Sequence, residues 1–360
     1  MLKSLAPTER DLEDSAAEAL HTLLGEVPAV SGVNIEREPP AFDRGIDLVV
    51  RFAVDDQPHV LVCEIKSSGQ PRHVRQAVHQ LKYVTSNFPA TLATPVFVAP
   101  YLSEEARAIC KQAGVGYLDL EGNSRLVFDN VFIERQVESK PPGERRALKS
   151  LFKPKSAQVL RRLLREPSRA WKLVDLAEAA GVSLGHVSNV RQALLGREWA
   201  IVVRDGLQLT APDVLIDHWR DNFEAPAGER IAAYTPLHGE GLTRAVRAAS
   251  DRADGRVVLA SFSAARWLAP YARTGMDYLY VDRAGYAALR EAMDIGPIAR
   301  GANLEITVLK DDGLFRDTVE PAPGVRTTSP VQTYLDLAAS GERGREAAEH
   351  LRESGLAWPR

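Results

Sequence analysis

The chain has 360 residues, 45% of them hydrophobic and 26% charged, the balance of a globular protein long enough for two or three domains with buried cores. Its 45 Lys and Arg face 48 Asp and Glu, a net charge of −3, which excludes a globally basic nucleic-acid coat and leaves any basic surface to be local. Only Cys63 and Cys110 occur, too few for a disulfide scaffold and in keeping with a reducing compartment. With no apolar run of ~18 residues and no signal-peptide core, the cytoplasm is the expected location and a membrane partner is not expected.

Leu12, Ala16, Ala19, Leu20 and Leu23 recur at helical spacing and predict a helix over 8–25, with Glu9, Asp11 and Glu13 in its first turn. Residues 45–52 and 59–67 read as strands joined by a polar turn at Asp55-Asp56. A helix over 70–87 follows, through Val74, Val78, Leu81 and Val84. A strand at 95–99, a helix at 104–113 and strands at 117–120 and 131–134 complete a mixed α/β domain over 1–138. From Arg135 to Arg169 there are eleven basic and three acidic residues, a local charge of +8, and Pro141-Pro142-Gly143 marks a basic linker over 139–155. That stretch reads either as a solvated linker or as a contact for phosphates.

Residues 156–210 read as three helices and a hairpin, its strands at 200–203 and 206–209 joined by Arg204-Asp205. The remainder, 213–360, is again α/β. Strands are expected at 256–262, 276–282 and 304–310, with helices at 263–273 and 283–293. Two more helices lie in 329–353, the first opened by Ser329-Pro330. The expected fold class is a multidomain chain of α/β and α+β parts.

Asp47, Glu64 and Lys66 form the first chemical constellation. Glu64 and Lys66 are two apart on one predicted strand and share a face; Asp47 starts the strand before it. Two carboxylates suit Mg²⁺ or Mn²⁺, which activates water and stabilises charge on a phosphodiester, and the lysine orients the water or neutralises that charge. The alternative is a structural Glu64–Lys66 pair, since a buried Glu64 needs a partner. Gly45-Ile46-Asp47 and Glu64-Ile65-Lys66, with a helix, meander, helix and strand around them, resemble the PD-(D/E)xK nuclease superfamily. Ile46 stands where that pattern often has proline. The resemblance implies a third acid on the first helix, Glu13 or Glu18, as a metal ligand. It also implies a glutamine on the helix after the lysine, Gln80 or Gln76. The spacing from Gln80 to Tyr83 is one residue shorter than the family's glutamine–tyrosine motif.

The second constellation lies in 173–195. Leu173, Leu176 and Ala177 give one helix, Gly181 the turn, Ser183 the cap of a second, and Val187, Val190 and Leu194 its inner face. Ser183, His186, Asn189 and Arg191 remain for base edges, and Arg204 sits at the hairpin tip. Lys155, Arg161, Arg162 and Arg165 on the preceding helix are the expected phosphate contacts. This segment resembles a winged helix, a fold that also serves as a protein-interaction module and that commonly forms homodimers.

In the third part, Ser261 and Ser263 read as caps of the helix in SFSAARWLAPYARTG, whose N-terminus otherwise suits an anion, and Arg266 and Trp267 serve surface or core. YLDLEGNSRL (117–126), the winged helix, ASFSAARWLAP and SPVQTYLDLAASGERGREAAEHL (329–351) together resemble AbiEi-like antitoxins of type IV toxin–antitoxin systems. That resemblance implies operator binding by the winged helix and a nucleotidyltransferase-like toxin as partner. Two functions are therefore expected, beside a protein-interaction scaffold with neither activity. The first is a metal-dependent DNA phosphodiesterase of defence or repair, targeted by its winged helix. The alternative is an AbiEi-like regulator and antitoxin with a silent nuclease fold.

Overall fold

A computed structural model describes residues 8–37, 46–88, 92–137, 140–271, 274–293, 295, 301–356 and 358. Gly45, the expected boundary at 138/139 and the last two residues of the expected helix at 263–273 lie outside them. Packing divides the chain into two units, 1–146 with 196–198, and 147–195 with 199–360. Among the described residues no helix is long and apolar enough to cross a membrane.

In the first unit, Thr8 opens α1 (Glu9–Gly25) with a capping box: its hydroxyl accepts the Asp11 amide and the Asp11 carboxylate accepts the Thr8 amide. Leu12, Ala16, Leu20 and Leu24 then form one buried stripe. β1 (Val30–Arg37), β2 (Leu48–Val54) and β3 (Gln57–Ile65) make an antiparallel meander. Asp55 and Asp56 turn the chain between β2 and β3 with φ of 46° and 67°, as a tight two-residue hairpin requires. α2 (Pro71–Thr85) leads to β4 (Ala93–Ala99), and α3 (Glu104–Ala113) leads to β5 (Gly116–Asp119). Both strands run parallel to their predecessors, which demands such crossovers. β6 (Ser124–Phe128) and β7 (Val131–Arg135) complete a seven-stranded sheet in sequence order.

The pleat sorts the side chains of β3. Leu61, Cys63 and Ile65 pack on the α1 side with Leu20 and Leu24. Val62 packs on the other side with Val74, Ala77 and Leu81 of α2. Glu64 and Lys66 thereby fall on the α2 side. β1 and β6 are additions to the expected strands. β1 has no fully buried residue, and Gly32 (φ 64°) sits in a register shift between Ser31 and Asn34. No apolar alternation marks such a strand.

The chain passes from the first unit to the second within the expected linker. The expected linker at 139–155 is largely helical: α4 (Pro142–Leu151) buries Leu148 and Leu151. α5 (Pro154–Arg165), α6 (Leu173–Ala180) and α7 (Leu184–Gly196) follow, then the hairpin β8 (Ala200–Val203) and β9 (Gly206–Leu209), then α8 (Pro212–Asp221). Gly181 ends α6 in the left-handed region (φ 65°) and turns the chain into α7.

Beyond it come β10 (Gly228–Ala233), α9 (Gly239–Arg252), β11 (Val257–Leu259), α10 (Ser261–Leu268), β12 (Asp277–Val281) and α11 (Arg283–Ala292). β13 (Leu304–Leu309), a 3-10 turn at Asp312–Arg316, β14 (Thr318–Ala322), β15 (Val325–Thr328), α12 (Pro330–Ala338) and α13 (Gly341–Gly355) complete the unit. The six strands lie in the order β10-β13-β12-β11-β15-β14. α9 and α11 cover one face, over Val257, Leu279 and Ile306. Elsewhere α10, α12 and α13 share a core with α5–α8, where Leu160, Leu163, Val187, Leu194 and Trp219 meet Tyr334, Leu335 and Leu351. That core runs across the expected division at 212/213. The expected strand at 256–262 stops at Leu259, because Ser261 already opens α10.

Candidate functional site

Asp47 lies just before β2, opposite Glu64; its amide donates to the Cys63 carbonyl at 3.0 Å. Glu64 is fully buried, and the Lys66 ammonium reaches back along the same face to pair with it. Burial pushes the Glu64 carboxyl above its ordinary pKa; Lys66 opposes the shift and the Asp47 charge adds to it. Asp47 is partly committed, since its Oδ2 accepts the Ile65 amide at 2.5 Å. Gln80 is half-buried on α2, which covers the same side of the sheet. Glu13 is half-buried on α1, a helix packed on the other side of the sheet. Among the described residues, no cluster of three His, Cys, Asp or Glu has metal-holding geometry.

In the second unit, Ser183 caps α7: its Oγ accepts the His186 amide at 3.4 Å and lies 3.1 Å from His186 Nδ1. Val187, Val190 and Leu194 are buried, while Ser183, His186 and Asn189 are exposed and Arg191 is half-buried. Arg204 is exposed at the hairpin tip. The hairpin is stitched to the start of α6 by reciprocal 2.8 Å backbone bonds between Trp171 and Leu207. Arg316, an exposed side chain from the 3-10 turn, lies over Gly181, where a Cβ would come within 2.8 Å of its guanidinium carbon. Sequence order gave no hint of that neighbour.

The basic face of α5 is largely spoken for. Arg161 is buried; it donates to Gln332 Oε1 at 3.1 Å, and its Nε lies 3.8 Å from Asp317. Burial lowers the pKa of that guanidinium, while Asp317, Asp336 and Asp311 raise it. Arg162 donates to the Ala179 carbonyl at 3.2 Å and to the Arg316 carbonyl. Arg165 pairs with Asp317 at 3.2 Å, and Lys155 with Asp311 at 3.4 Å. The expectation that Arg161 and Arg162 contact phosphate is corrected: both guanidiniums point into the protein. Lys155 remains exposed but paired.

A buried polar network that sequence reasoning missed lies beyond Arg161. Asp336 Oδ1 accepts Gln332 Nε2 at 2.9 Å and the Tyr280 hydroxyl at 2.9 Å. Burial raises the Asp336 pKa to about 7, against the opposing effects of Gln332, Tyr280, Arg161 and the Ser261 amide. Ser261 sits at φ 46°, a left-handed conformation costing about 1–3 kcal/mol in a non-glycine residue. Neither expected serine caps α10, whose N-cap position is Ala260. Ser263 donates to Asp277 at 2.7 Å and accepts the Tyr278 amide at 3.0 Å, tying α10 to β12; Arg266 pairs with Asp277 at the surface. The available signal was Gln332 and Asp336 four apart in the apolar helix PVQTYLDLA.

No curated protein and no solved structure matches this chain. Residues 208–357, which hold Ser261, Gln332 and Asp336, match the family described as transcriptional regulator, AbiEi antitoxin, type IV TA system.

Proposed function

We propose that this chain is a DNA-binding transcriptional regulator of the AbiEi antitoxin kind. The observation that carries the reading is the family match over 208–357, in a unit that also holds a capped helix with exposed Ser183, His186 and Asn189. In this reading α5–α8 and the β8–β9 hairpin form a winged helix, and α7 enters the major groove. Ser183, His186, Asn189 and Arg191 meet base edges, while Arg204 and Arg316 contact phosphates on either side. A homodimer presents two such helices to a two-fold operator. The partner in the antitoxin role is a nucleotidyltransferase-like toxin.

Fluorescence anisotropy on DNA from upstream of the chain's own gene tests this. Arg204→Ala and Arg316→Ala each weaken binding to all sequences and lower the salt slope by about 1. Asn189→Ala costs about 1–3 kcal/mol on the preferred site and relaxes its sequence preference. Equal affinity for operator and unrelated DNA would overturn the reading.

A second reading rests on Asp47, Glu64 and Lys66, a buried carboxylate beside another carboxylate and a lysine. The first unit is then a PD-(D/E)xK phosphodiesterase domain. The donor set suits a hard divalent cation in type, because two carboxylates lie opposite each other at the edge of β2 and β3. Asp47 and Glu64 would hold Mg²⁺ or Mn²⁺, which when bound supplies an activated water and charge stabilisation. Lys66 and Gln80 would orient the phosphodiester and the attacking water. Plasmid cutting that needs the metal and is lost in Lys66→Ala supports this reading. An intact plasmid with Mg²⁺ and with Mn²⁺ leaves a regulator with a silent nuclease fold.

A further inference from the structure

A cavity of about 150 Å³ lies between α10, α12 and the strands β10, β13 and β12. Its floor is two rows of the sheet: Arg230, Thr307 and Tyr280 in one, Glu305 and Tyr278 in the next. Ser261 and Asp336 are in its wall. Each is about nine-tenths buried or more, at 6% exposure, yet among the described residues no hydrogen bond of regular geometry reaches Ser261 Oγ or Asp336 Oδ2. Buried polar atoms are nearly always satisfied, so two orphans lining one cavity call for a group that fills it. The sequence segments that carry them, ASFSAARW and PVQTYLDL, lie far apart in the chain and converge only here.

The chemistry of the wall selects the occupant. Asp336 Oδ1 already receives two donors, while Oδ2 is a buried acceptor with the Ser261 amide beside the carboxylate and no regular hydrogen bond among the described residues. A ligand N–H meets that need, and Ser261 Oγ can donate to or accept from the adjoining atom. Glu305 adds a second carboxylate, and Arg230 is the one base among the described residues of the lining. The Tyr278 ring and the size of the cavity suit a flat group, because a cavity of about 150 Å³ holds one six-membered ring. We propose that this cavity binds a small planar amino-heterocycle, the donor edge of which is held by Asp336 and Ser261. The chemistry is that of an aminopyrimidine, free or as the base of a nucleotide. The site is separate from the DNA-reading surface, so its test stands whether or not that surface binds DNA.

The test uses the full chain at about pH 8 with 2-aminopyrimidine, cytosine, cytidine monophosphate and pyrimidine as probes, read by ligand-observed NMR and calorimetry. We expect 2-aminopyrimidine or cytosine to bind saturably with a Kd of about 1 mM or tighter, and pyrimidine at least about tenfold more weakly. Tighter binding of the monophosphate than of cytosine identifies a nucleotide as the source; weaker binding identifies the free base. Asp336→Asn keeps an oxygen for Tyr280 and Gln332 but turns an N–H donor toward the ligand, so affinity falls at least about tenfold. Ser261→Ala leaves the Asp336 bonds in place and weakens binding several-fold, which decides the matter if the first variant unfolds. Three results would overturn the proposal: no saturable binding of either amino probe at about 10 mM, equal binding of pyrimidine, or affinity unchanged in both variants. Any of them leaves Ser261 and Asp336 satisfied by solvent alone.

Discussion

Asp317 receives three arginines of α5: Arg161, Arg162 and Arg165 lie within 3.9 Å of its carboxylate, which is almost wholly buried. Removing one partner from a buried ionic group leaves uncompensated charge. Asp317→Ala is therefore expected to cost about 3–5 kcal/mol in denaturant unfolding. Asp336 makes a different prediction. Unfolded, its carboxyl ionises near 3.9; folded, it holds its proton up to about 7. Between those values the native state binds a proton that the unfolded state has released. Its contribution to stability is thus full below about pH 4, declines as pH rises and levels off above about pH 7. One group can contribute a slope of about 1.4 kcal/mol per unit at most. Unfolding at pH 5 and pH 8 should show this decline in the wild type and a smaller one in Asp336→Asn. At this scale the sequence was least legible. Eleven basic residues between Arg135 and Arg169 can be counted, but not the carboxylate, more than 150 residues downstream, that pairs with three of them.

Elements were more legible wherever one face is apolar and the ends are marked. The spacing of Leu12, Ala16 and Leu20, the Asp55-Asp56 turn, the Gly181 turn and the Ser329 cap all stand where periodicity and turn chemistry put them. Strands without a buried row, such as β1, and short strands such as β14 and β15 gave too little pattern. The juxtaposition of Asp47, Glu64 and Lys66 was readable because it needs only a hairpin register. The Ser261–Asp336 juxtaposition needs the whole topology of the second unit. α7 permits a separation of stability from recognition. Ser183→Ala removes its cap and is expected to cost about 1 kcal/mol in stability. Asn189→Ala, on the exposed face, should change stability by less than about 0.5 kcal/mol. On the proposed reading both variants weaken operator binding, and melting curves recorded beside anisotropy distinguish the two causes.

The two units have separate cores, but within the second α5–α8 share one with α10, α12 and α13. Tyr334, Leu335 and Leu351 are fully buried in it. Each such side chain contributes about 1.5–3 kcal/mol by its burial, against a total stability of about 5–15 kcal/mol for a typical domain. A fragment of residues 140–360 is accordingly expected to fold cooperatively, and one of residues 140–221 to lack a sharp thermal transition by circular dichroism.

The bond from Arg161 to Gln332 has a consequence for portability. The region that resembles an antitoxin does not end in a blank seam. It meets α5 through Gln158, Arg161 and Arg165, which reach Asp311, Gln332 and Asp317. Residues 222–360 transplanted onto a different helical domain would carry three polar groups cut to fit side chains that the new host does not have. A working chimera would have to bring α5 along, so the unit of exchange is larger than the unit of resemblance.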